Sequence, residues 1–407
     1  MKFWAKKNIS LIVSGGIAAY RACDLIRTLR REGADVAVLA TKSALEFITE
    51  LSLQALSGAR VNSDLFTPIQ ADGMDHIHQT KNSDLLIIAP ATANIIAKMA
   101  MGLADDLATT TILAYSGPIL VAPAMNSRMW LNSATQRNVA QLKKDGVQFI
   151  DPQSGSLACG EEGEGRLAPI AHIVDAAQAL LTPKILKGHR LLITAGPTHE
   201  ALDPVRFISN HSTGKMGWSI CRAALNAGAE VVLVYGPVNL EPPLGAELHP
   251  VTSAQEMYDQ SMTAWDKGCT GAILTAAVGD YRPLTQQTDK IKKSQDNQQL
   301  TMELTVNPDI LATIAAKKDG RVVVGFAAET GHAIERGREK MARKNCDLLV
   351  INDLLEADSG FGTDTNRVTI LHNSGKEETW PLLSKDMVAQ KLMQNIATLL
   401  NTVKKNG

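Results

Sequence analysis

No apolar run in this 407-residue chain approaches the ~20 residues needed to span a bilayer. Its first residues, MKFWAKKNIS, lack the apolar core and cleavage site of a signal peptide. Aromatic residues make up only 4%, too few for the stacking platforms that bind single-stranded nucleic acid. The formal net charge of −1 supplies no global field to draw nucleic acid or a membrane surface. Cysteine is sparse: Cys23, Cys159, Cys221, Cys269 and Cys346 are odd in number and scattered, with neither disulfide-framework nor zinc spacing. The chain therefore reads as a reduced, cytoplasmic, globular protein whose partners are small molecules, not nucleic acid or membrane.

What is present is a nucleotide-type α/β unit that starts twice. Leu11–Val13, the turn Ser14-Gly15-Gly16, a helix from Ile17 to Arg31 ending near Gly33, and Val36–Leu39 make the first start. Leu191–Ile193, a break at Ala195-Gly196-Pro197, a helix over Met216–Gly228 and Glu230–Tyr235 make the second. One core for the whole length would be unusually large, so two domains of about 190 and 220 residues are expected. A short linker, Thr182–Lys187, follows a helix over Ile170–Leu181, which sets the expected domains at 1–186 and 187–407. The fold class expected is α/β with two Rossmann-like domains.

In the first half, Ser14-Gly15-Gly16 points backbone N–H groups and a hydroxyl at a helix start, which suits a phosphate; the same residues would also make a plain helix-capping turn. The G-x-G-x-x-G fingerprint is missing, and the second strand runs to Thr41 and Ser43 without the acid that holds an NAD ribose. A mononucleotide is favoured over a dinucleotide. Strands at Asp84–Ala89 and Ile119–Ala122 lead into the turns APATAN (Ala89–Asn94) and PAMNSRMW (Pro123–Trp130), at strand ends where open sheets collect ligands. Asn126 could bond a carboxylate through its NH2 or simply form a turn. His76 sits in a loop with His78, and no third metal ligand lies nearby, so no metal site is assigned. Ser154–Arg166, SGSLACGEEGEGR, is too glycine-rich for a stable helix or strand and reads as a mobile flap carrying Cys159.

SGGIAAY, APATAN, PAMNxxMW and the ACG flap together resemble the FMN-dependent cysteine decarboxylases. The resemblance implies a flavodoxin-like N-terminal FMN domain. It implies a cofactor site at Ser14, Gly15, Gly16, Ile17, Thr41, Ser43, Pro90, Thr92, Asn94 and Met125. It gives His76 as active-site base, Asn126 as holder of the substrate carboxylate and Cys159 as proton donor. An alkyl carboxylate has no electron sink. Removing a hydride from the carbon bearing sulfur gives a thioaldehyde, from which loss of CO2 leaves a stabilised enethiolate; the hydride then returns and an acid supplies a proton.

In the second half, Gly214-Lys215 hints at a P-loop, but Ser209 stands where that motif needs its first glycine and Met216 replaces the magnesium-binding Ser or Thr. Strands at Ala272–Ala276, Val322–Phe326 and Leu348–Ile351 are expected. Lys290, Lys292 and Lys293 form a cationic run that is either a solvated face or a polyphosphate contact. Lys340 and Lys344 share a helix face at i, i+4. ITAGPTxExxDPVRxxSNxSxGKMG, AAVxDY, KIKK and GFAAET resemble the phosphopantothenate–cysteine ligases. With the first half, the resemblance spans nearly the whole chain and matches the bacterial bifunctional decarboxylase–ligases of coenzyme A synthesis. It implies a C-terminal Rossmann-like CTP-binding ligase domain. Asn210 would contact the acyl-cytidylate and Lys290 would act in its conversion. Thr275, Ala276, Ala277, Asp280, Lys290, Asn307, Pro308, Asp309, Ile310, Phe326, Lys340 and Lys344 would form the CTP site, with Mg²⁺ sharing the phosphate charge. Magnesium ligands stay unassigned, because substrate phosphates supply most of them. Gly279 departs from the family's alanine and is expected to loosen the turn. The assembly implied is a homo-oligomer, a dodecamer of trimeric flavin and dimeric ligase domains.

Two other readings are open. Relatives of the decarboxylase fold serve as catalytically silent regulatory flavoproteins, against which stand His76, Asn126 and Cys159. An NAD(P)-linked oxidoreductase lacks its glycine fingerprint and ribose acid.

Overall fold

The computed structural model describes residues 2–65, 81–156, 160–292, 300–329, 332–353 and 362–406. The chain forms two compact units, Met1–Thr182 and Pro183–Gly407.

The first unit begins with β1 (Asn8–Val13), a 3-10 segment (Ile17–Arg21) and α1 (Ala22–Arg31). A continuous helix from Ile17 was expected. Instead Gly16 stays extended and carries no capping side chain, and the Ala19 N–H closes a tight bond onto the Gly16 carbonyl at 2.9 Å, so the first five residues wind as 3-10. β2 (Asp35–Ala40), α2 (Lys42–Leu45), α3 (Glu50–Ser57), β3 (Leu85–Ala91), α4 (Ala93–Met101), α5 (Leu107–Ala114), β4 (Ile119–Pro123), α6 (Ser127–Trp130), α7 (Ser133–Lys144) and β5 (Gln148–Phe149) follow. The five strands form one sheet in the order β2-β1-β3-β4-β5, parallel throughout. Parallel strands need cover on both faces. One face buries Leu25, Ile26 and Leu29 of α1 with Ile173 and Ala177 of a later helix, and the other buries Ile95, Ile96, Ile112 and Val139. β3, LLIIAPA, is buried at every residue, as a strand covered on both sides must be.

β6 (Gln153–Ser156) and β7 (Glu162–Arg166) then pair antiparallel, and α8 (Ile170–Leu181) closes the unit. This hairpin corrects the expectation that Ser154–Arg166 forms no strand. Gly155 and Gly165, at φ +153° and +146°, lie in extended backbone that only glycine adopts readily, so here glycine makes the strand possible.

The second unit comprises β8 (Arg190–Ala195), β9 (His199–Ala201), β10 (Phe207–Ser209), α9 (Lys215–Asn226), β11 (Glu230–Tyr235), β12 (Glu247–Pro250), α10 (Ala254–Asp266), β13 (Gly271–Leu274), β14 (Tyr281–Pro283), β15 (Leu304–Val306), α11 (Ile310–Ala316), β16 (Val322–Glu329), α12 (Ala333–Lys344), β17 (Leu348–Asp353), β18 (Thr365–Asn366), β19 (Val368–His372), β20 (Glu377–Thr379), β21 (Leu383–Ser384) and α13 (Lys385–Asn406). Its main sheet runs β12-β11-β8-β13-β16-β17-β19-β20. The first six strands are parallel; β19 and β20 add an antiparallel edge. α9 and α13 pack one face through Trp218, Ile220, Val388 and Leu392. α10, α11 and α12 cover the other through Met257, Trp265, Ile314 and Met341.

The two sheets are the two common doubly wound orders, 2-1-3-4-5 and 3-2-1-4-5-6. In each the order reverses beside the first strand, opening a crevice at the carboxyl ends where ligands bind. Among the described residues no helix is long and apolar enough to cross a membrane.

Candidate active sites

In the first unit the crevice opens between β1 and β3. Ser14 leaves β1 and ties the two strands: its hydroxyl donates to the Pro90 carbonyl at 2.7 Å and accepts from the Thr92 N–H at 3.0 Å. Gly15 follows, and a Cβ there would lie 2.6 Å from the Ser43 carbonyl oxygen, so the turn lies directly against the loop after β2. Thr41 caps α2 through the Ala44 N–H at 3.2 Å. Ser14, Gly15, Gly16, Thr41, Ser43, Pro90 and Thr92 thus meet at one edge. Ile17 and Asn94 are exposed beside them, and Met125 is half-buried. The cradle fits a flavin phosphate: Gly16 leaves the following turn without a side-chain cap, and the neighbouring hydroxyls are neutral donors.

Asn126 caps α6, its Oδ1 accepting from the Arg128 N–H at 2.9 Å. That bond commits the oxygen to the helix and turns the NH2 outward, where it donates to the Glu161 carboxylate at 3.0 Å. Arg128 approaches the same carboxylate at 3.4 Å. The β6–β7 hairpin is docked onto this turn by its glycines. The Gly165 carbonyl accepts from the Met125 N–H at 3.0 Å, and a Cβ on Gly165 would run into the Met125 carbonyl oxygen. A Cβ on Gly163 would meet Ser127. His76 and Cys159 lie outside the described residues. Of the other thiols, burial pushes Cys221 up to about 12 and Cys346 up to about 11, and raises Cys269 and Cys23, so all four are held as inert thiols.

In the second unit a cavity of about 1070 Å³ opens at the β8/β13 reversal. Asn210, Thr275, Ala276, Ala277, Asp280, the Asn307–Ile310 turn, Phe326, Lys340 and Lys344 all line it. Close packing makes the crevice: a Cβ on Gly217 would lie 2.8 Å from Thr275 Oγ1. Asn210 donates to the Ala277 and Val278 carbonyls at 3.2 and 3.1 Å, fastening the β10 loop to the turn after β13. Asn307 donates to the Gly279 carbonyl at 2.8 Å, and the Gly279 N–H donates to Thr198 Oγ1 at 3.0 Å. The turn is therefore pinned on both sides, which corrects the expectation that Gly279 loosens it. Lys344 pairs with Asp309; burial lowers its pKa while Asp280 opposes the shift. Lys340 reaches the Phe326 carbonyl at 3.3 Å.

Lys290 is exposed and stands apart from the residues lining the cavity. Its neighbour Ile291 is held in place: its N–H donates to Asp203 at 3.1 Å, and its carbonyl accepts from Arg206 at 2.8 Å. The Arg206 guanidinium on Asp203, helped by three backbone N–H groups, holds that buried carboxyl well below the usual carboxylate range. The DPVR motif thus holds Ile291, between Lys290 and Lys292, a link that spacing could not reveal; Lys293 lies outside the described residues. Three further cations at the cavity, Lys215, Arg343 and Lys385, escaped the sequence reading. Lys215 lies within GKMG, whereas Lys385 sits in no motif. Among the described residues no group of three or more His, Cys, Asp or Glu gathers to hold a metal.

Comparison with known proteins matches residues 4–182 to the flavoprotein family model and residues 186–400 to that of the DNA/pantothenate metabolism flavoprotein C-terminal domain. The coenzyme A biosynthesis bifunctional protein CoaBC of Vibrio vulnificus is 44% identical over 402 residues, covering 98% of this chain and 100% of its own. The protein of the same name from Escherichia coli K12 is 46% identical over 397 residues, 97% of each chain. A crystal structure of the C-terminal domain of CoaBC is 38% identical, covering 54% of this chain and 99% of its own, with a TM-score of 0.46.

Proposed function

The chain belongs to the family of bifunctional coenzyme A biosynthesis proteins, which join a flavoprotein decarboxylase to a ligase, and on that premise we propose how its residues divide the work. Residues 187–407 join 4′-phosphopantothenate to L-cysteine with CTP. Residues 1–186 decarboxylate the resulting phosphopantothenoylcysteine to 4′-phosphopantetheine.

In the ligase half, the phosphopantothenate carboxylate attacks the α-phosphorus of CTP. The bond to pyrophosphate breaks and an acyl-cytidylate forms; the cysteine amine then attacks the acyl carbon and CMP leaves. Lys340 and Lys344 stabilise charge on the departing pyrophosphate. Asn210 holds the acyl-cytidylate, Asp280 and the Asn307–Ile310 turn seat the nucleotide, and Lys290 acts on the conversion from its tethered segment. Mg²⁺ enters with the phosphates, not from a protein cage.

In the decarboxylase half, bound FMN supplies the hydride acceptor and donor that an alkyl carboxylate requires. The Ser14–Gly16 turn takes its phosphate. Asn126, whose oxygen is committed to the α6 cap, presents its NH2 to the substrate carboxylate in place of Glu161. His76 is the base, and Cys159, on the segment between β6 and β7, returns the proton. We place the enzyme in the cytoplasm as a homo-oligomer, a dodecamer.

The observation that carries the reading is the gathering of Asn210 and all but one of the expected nucleotide residues around a single cavity at the sheet's reversal. The test supplies purified protein with phosphopantothenate, cysteine, Mg²⁺ and either CTP or ATP, and follows products by mass spectrometry. Phosphopantetheine with CTP is expected. Phosphopantothenoylcysteine alone would refute the decarboxylase half, and no product with either nucleotide would point to a silent flavoprotein.

A further inference from the structure

The turn that carries Asn126 grips a carboxylate in this structure, and the carboxylate is the protein's own. Asn126 Nδ2 donates to one Glu161 oxygen at 3.0 Å, and the Arg128 guanidinium lies 3.4 Å from the other. An amide NH2 and a guanidinium thus address the two oxygens of one carboxylate separately, and both groups are donors. The two donors are tied to each other as well. Asn126 Oδ1 accepts from the Arg128 N–H at 2.9 Å, which decides which end of the amide the carboxylate meets and sets Arg128 beside it.

The backbone delivers Glu161 to this place. Ser156 pairs with Glu162 and Gly155 with Gly163 across the β6–β7 hairpin, and the Met125 N–H bonds the Gly165 carbonyl at 3.0 Å. Hairpin and turn approach so closely that a Cβ on Gly163 would meet Ser127. Glu161 immediately precedes β7, so strand pairing and the Gly165 bond bring its carboxylate to Asn126 and Arg128. The hold itself is weak. The Arg128 side chain is 86% exposed and that of Glu161 44%, so water and salt screen their attraction. A carboxylate that the backbone places and its partners grip only lightly is one that another carboxylate can replace.

We infer that Asn126 and Arg128 form a two-point carboxylate site, filled between turnovers by Glu161, and that the substrate's carboxylate binds by displacing it. The inference rests on the decarboxylase reading above and deepens it. Arg128 becomes a second substrate-binding residue beside Asn126, and Glu161 an internal competitor. Loss of the substrate's carboxylate as CO2 leaves a product with no anion to offer either donor, and Glu161 returns. The site thereby separates substrate from product by the one group that the reaction removes.

The test is steady-state decarboxylation of phosphopantothenoylcysteine by the flavin-loaded full chain, with phosphopantetheine, which lacks the carboxylate, as product inhibitor. Glu161→Gln removes the competing charge and keeps the volume. A site filled about nine-tenths of the time by an internal group binds its ligand about tenfold more weakly than an empty one, so the substrate KM is expected to fall about 3- to 30-fold. The inhibition constant of phosphopantetheine stays within about two-fold of wild type, because the product makes no claim on the carboxylate site. Adding Arg128→Gln to that variant raises the substrate KM again by about 3- to 10-fold and leaves product inhibition unchanged. Glu162→Gln, the same change of charge one residue along, leaves both constants as they are. A Glu161→Gln KM within about two-fold of wild type would overturn the inference. So would a fall shared with product inhibition, which marks a change in the whole hairpin, or with Glu162→Gln, which marks a general effect of charge. An unchanged KM on adding Arg128→Gln would overturn the second point of the site. A wild-type protein that leaves phosphopantothenoylcysteine untouched would instead overturn the decarboxylase reading itself.

Discussion

Replacing Gly165 with alanine separates the two activities through a single methyl group. The strand carrying Gly165 lies so close to the PAMN turn that the added Cβ meets the Met125 carbonyl oxygen, a backbone atom that cannot rotate away. The residue also sits at φ +146°, where a side chain costs about 1–3 kcal/mol. Retreat of the strand breaks the Met125 N–H to Gly165 carbonyl bond, worth about 0.5–1.5 kcal/mol. Together these shift the docked hairpin toward the undocked state by about 1.5–4.5 kcal/mol. If the flap donates its proton only when docked, decarboxylation falls by about 10- to 2,000-fold. Ligation does not depend on this strand, whereas FMN must be checked in the variant, because Met125 is among the expected cofactor residues. Single-turnover conversion of phosphopantothenoylcysteine, followed by mass spectrometry beside flavin absorbance, reads both. Decarboxylation at the wild-type rate in a folded, flavin-loaded Gly165→Ala protein would refute the view that the hairpin positions the proton donor.

Three other outcomes are expected. Asn210→Asp exchanges two N–H donors for a carboxylate facing the Ala277 and Val278 carbonyls, so ligation falls by at least about 100-fold while bound FMN is unchanged; loss of FMN would count against the domain division. Gly279→Ala is tolerated, since its Cβ would make only ordinary contacts at 3.4 Å or more; it raises stability in urea by about 0.4–1 kcal/mol without lowering ligation. Lys385 has a folded pKa of about 8 against 10.5 when free, so between those values the unfolded chain binds more protons and stability rises with pH. The stability of wild type should therefore rise relative to that of Lys385→Met as pH goes from 8 toward 10.5, and a pH-independent difference between their melting temperatures would contradict the burial of that ammonium.

Most of what positions the two sites is local in sequence. Runs such as DLLIIA and EVVLVY are long, apolar and bounded by turns, and they became β3 and β11 within a residue or two. What escaped depends on distant contacts. Gly165 looks like a strand breaker until the PAMN turn is seen against it, where a Cβ would collide with the Met125 carbonyl, and Gly155 until the Arg166 side chain is seen beside it. The hold of Asp203 and Arg206 on Ile291 joins segments 88 and 85 residues apart, and no periodicity carries such a link. Lys385 opens a helix far from any motif; only the meeting of α9 and α13 on one face of the sheet brings it to Lys215. Asn126 was legible in type but not in orientation, which the α6 cap sets by taking its oxygen.

The central claim is that two separate sites on one chain work in series, each able to act when the other is disabled. It is tested most directly by mixing two inactive variants, Asn126→Ala and Asn210→Asp, with phosphopantothenate, cysteine, CTP and Mg²⁺. Neither variant alone should yield phosphopantetheine, and the first should accumulate phosphopantothenoylcysteine. The mixture should make phosphopantetheine, because the ligase of one variant feeds the decarboxylase of the other. A mixture that stays inert while both proteins are folded and flavin-loaded would contradict the account.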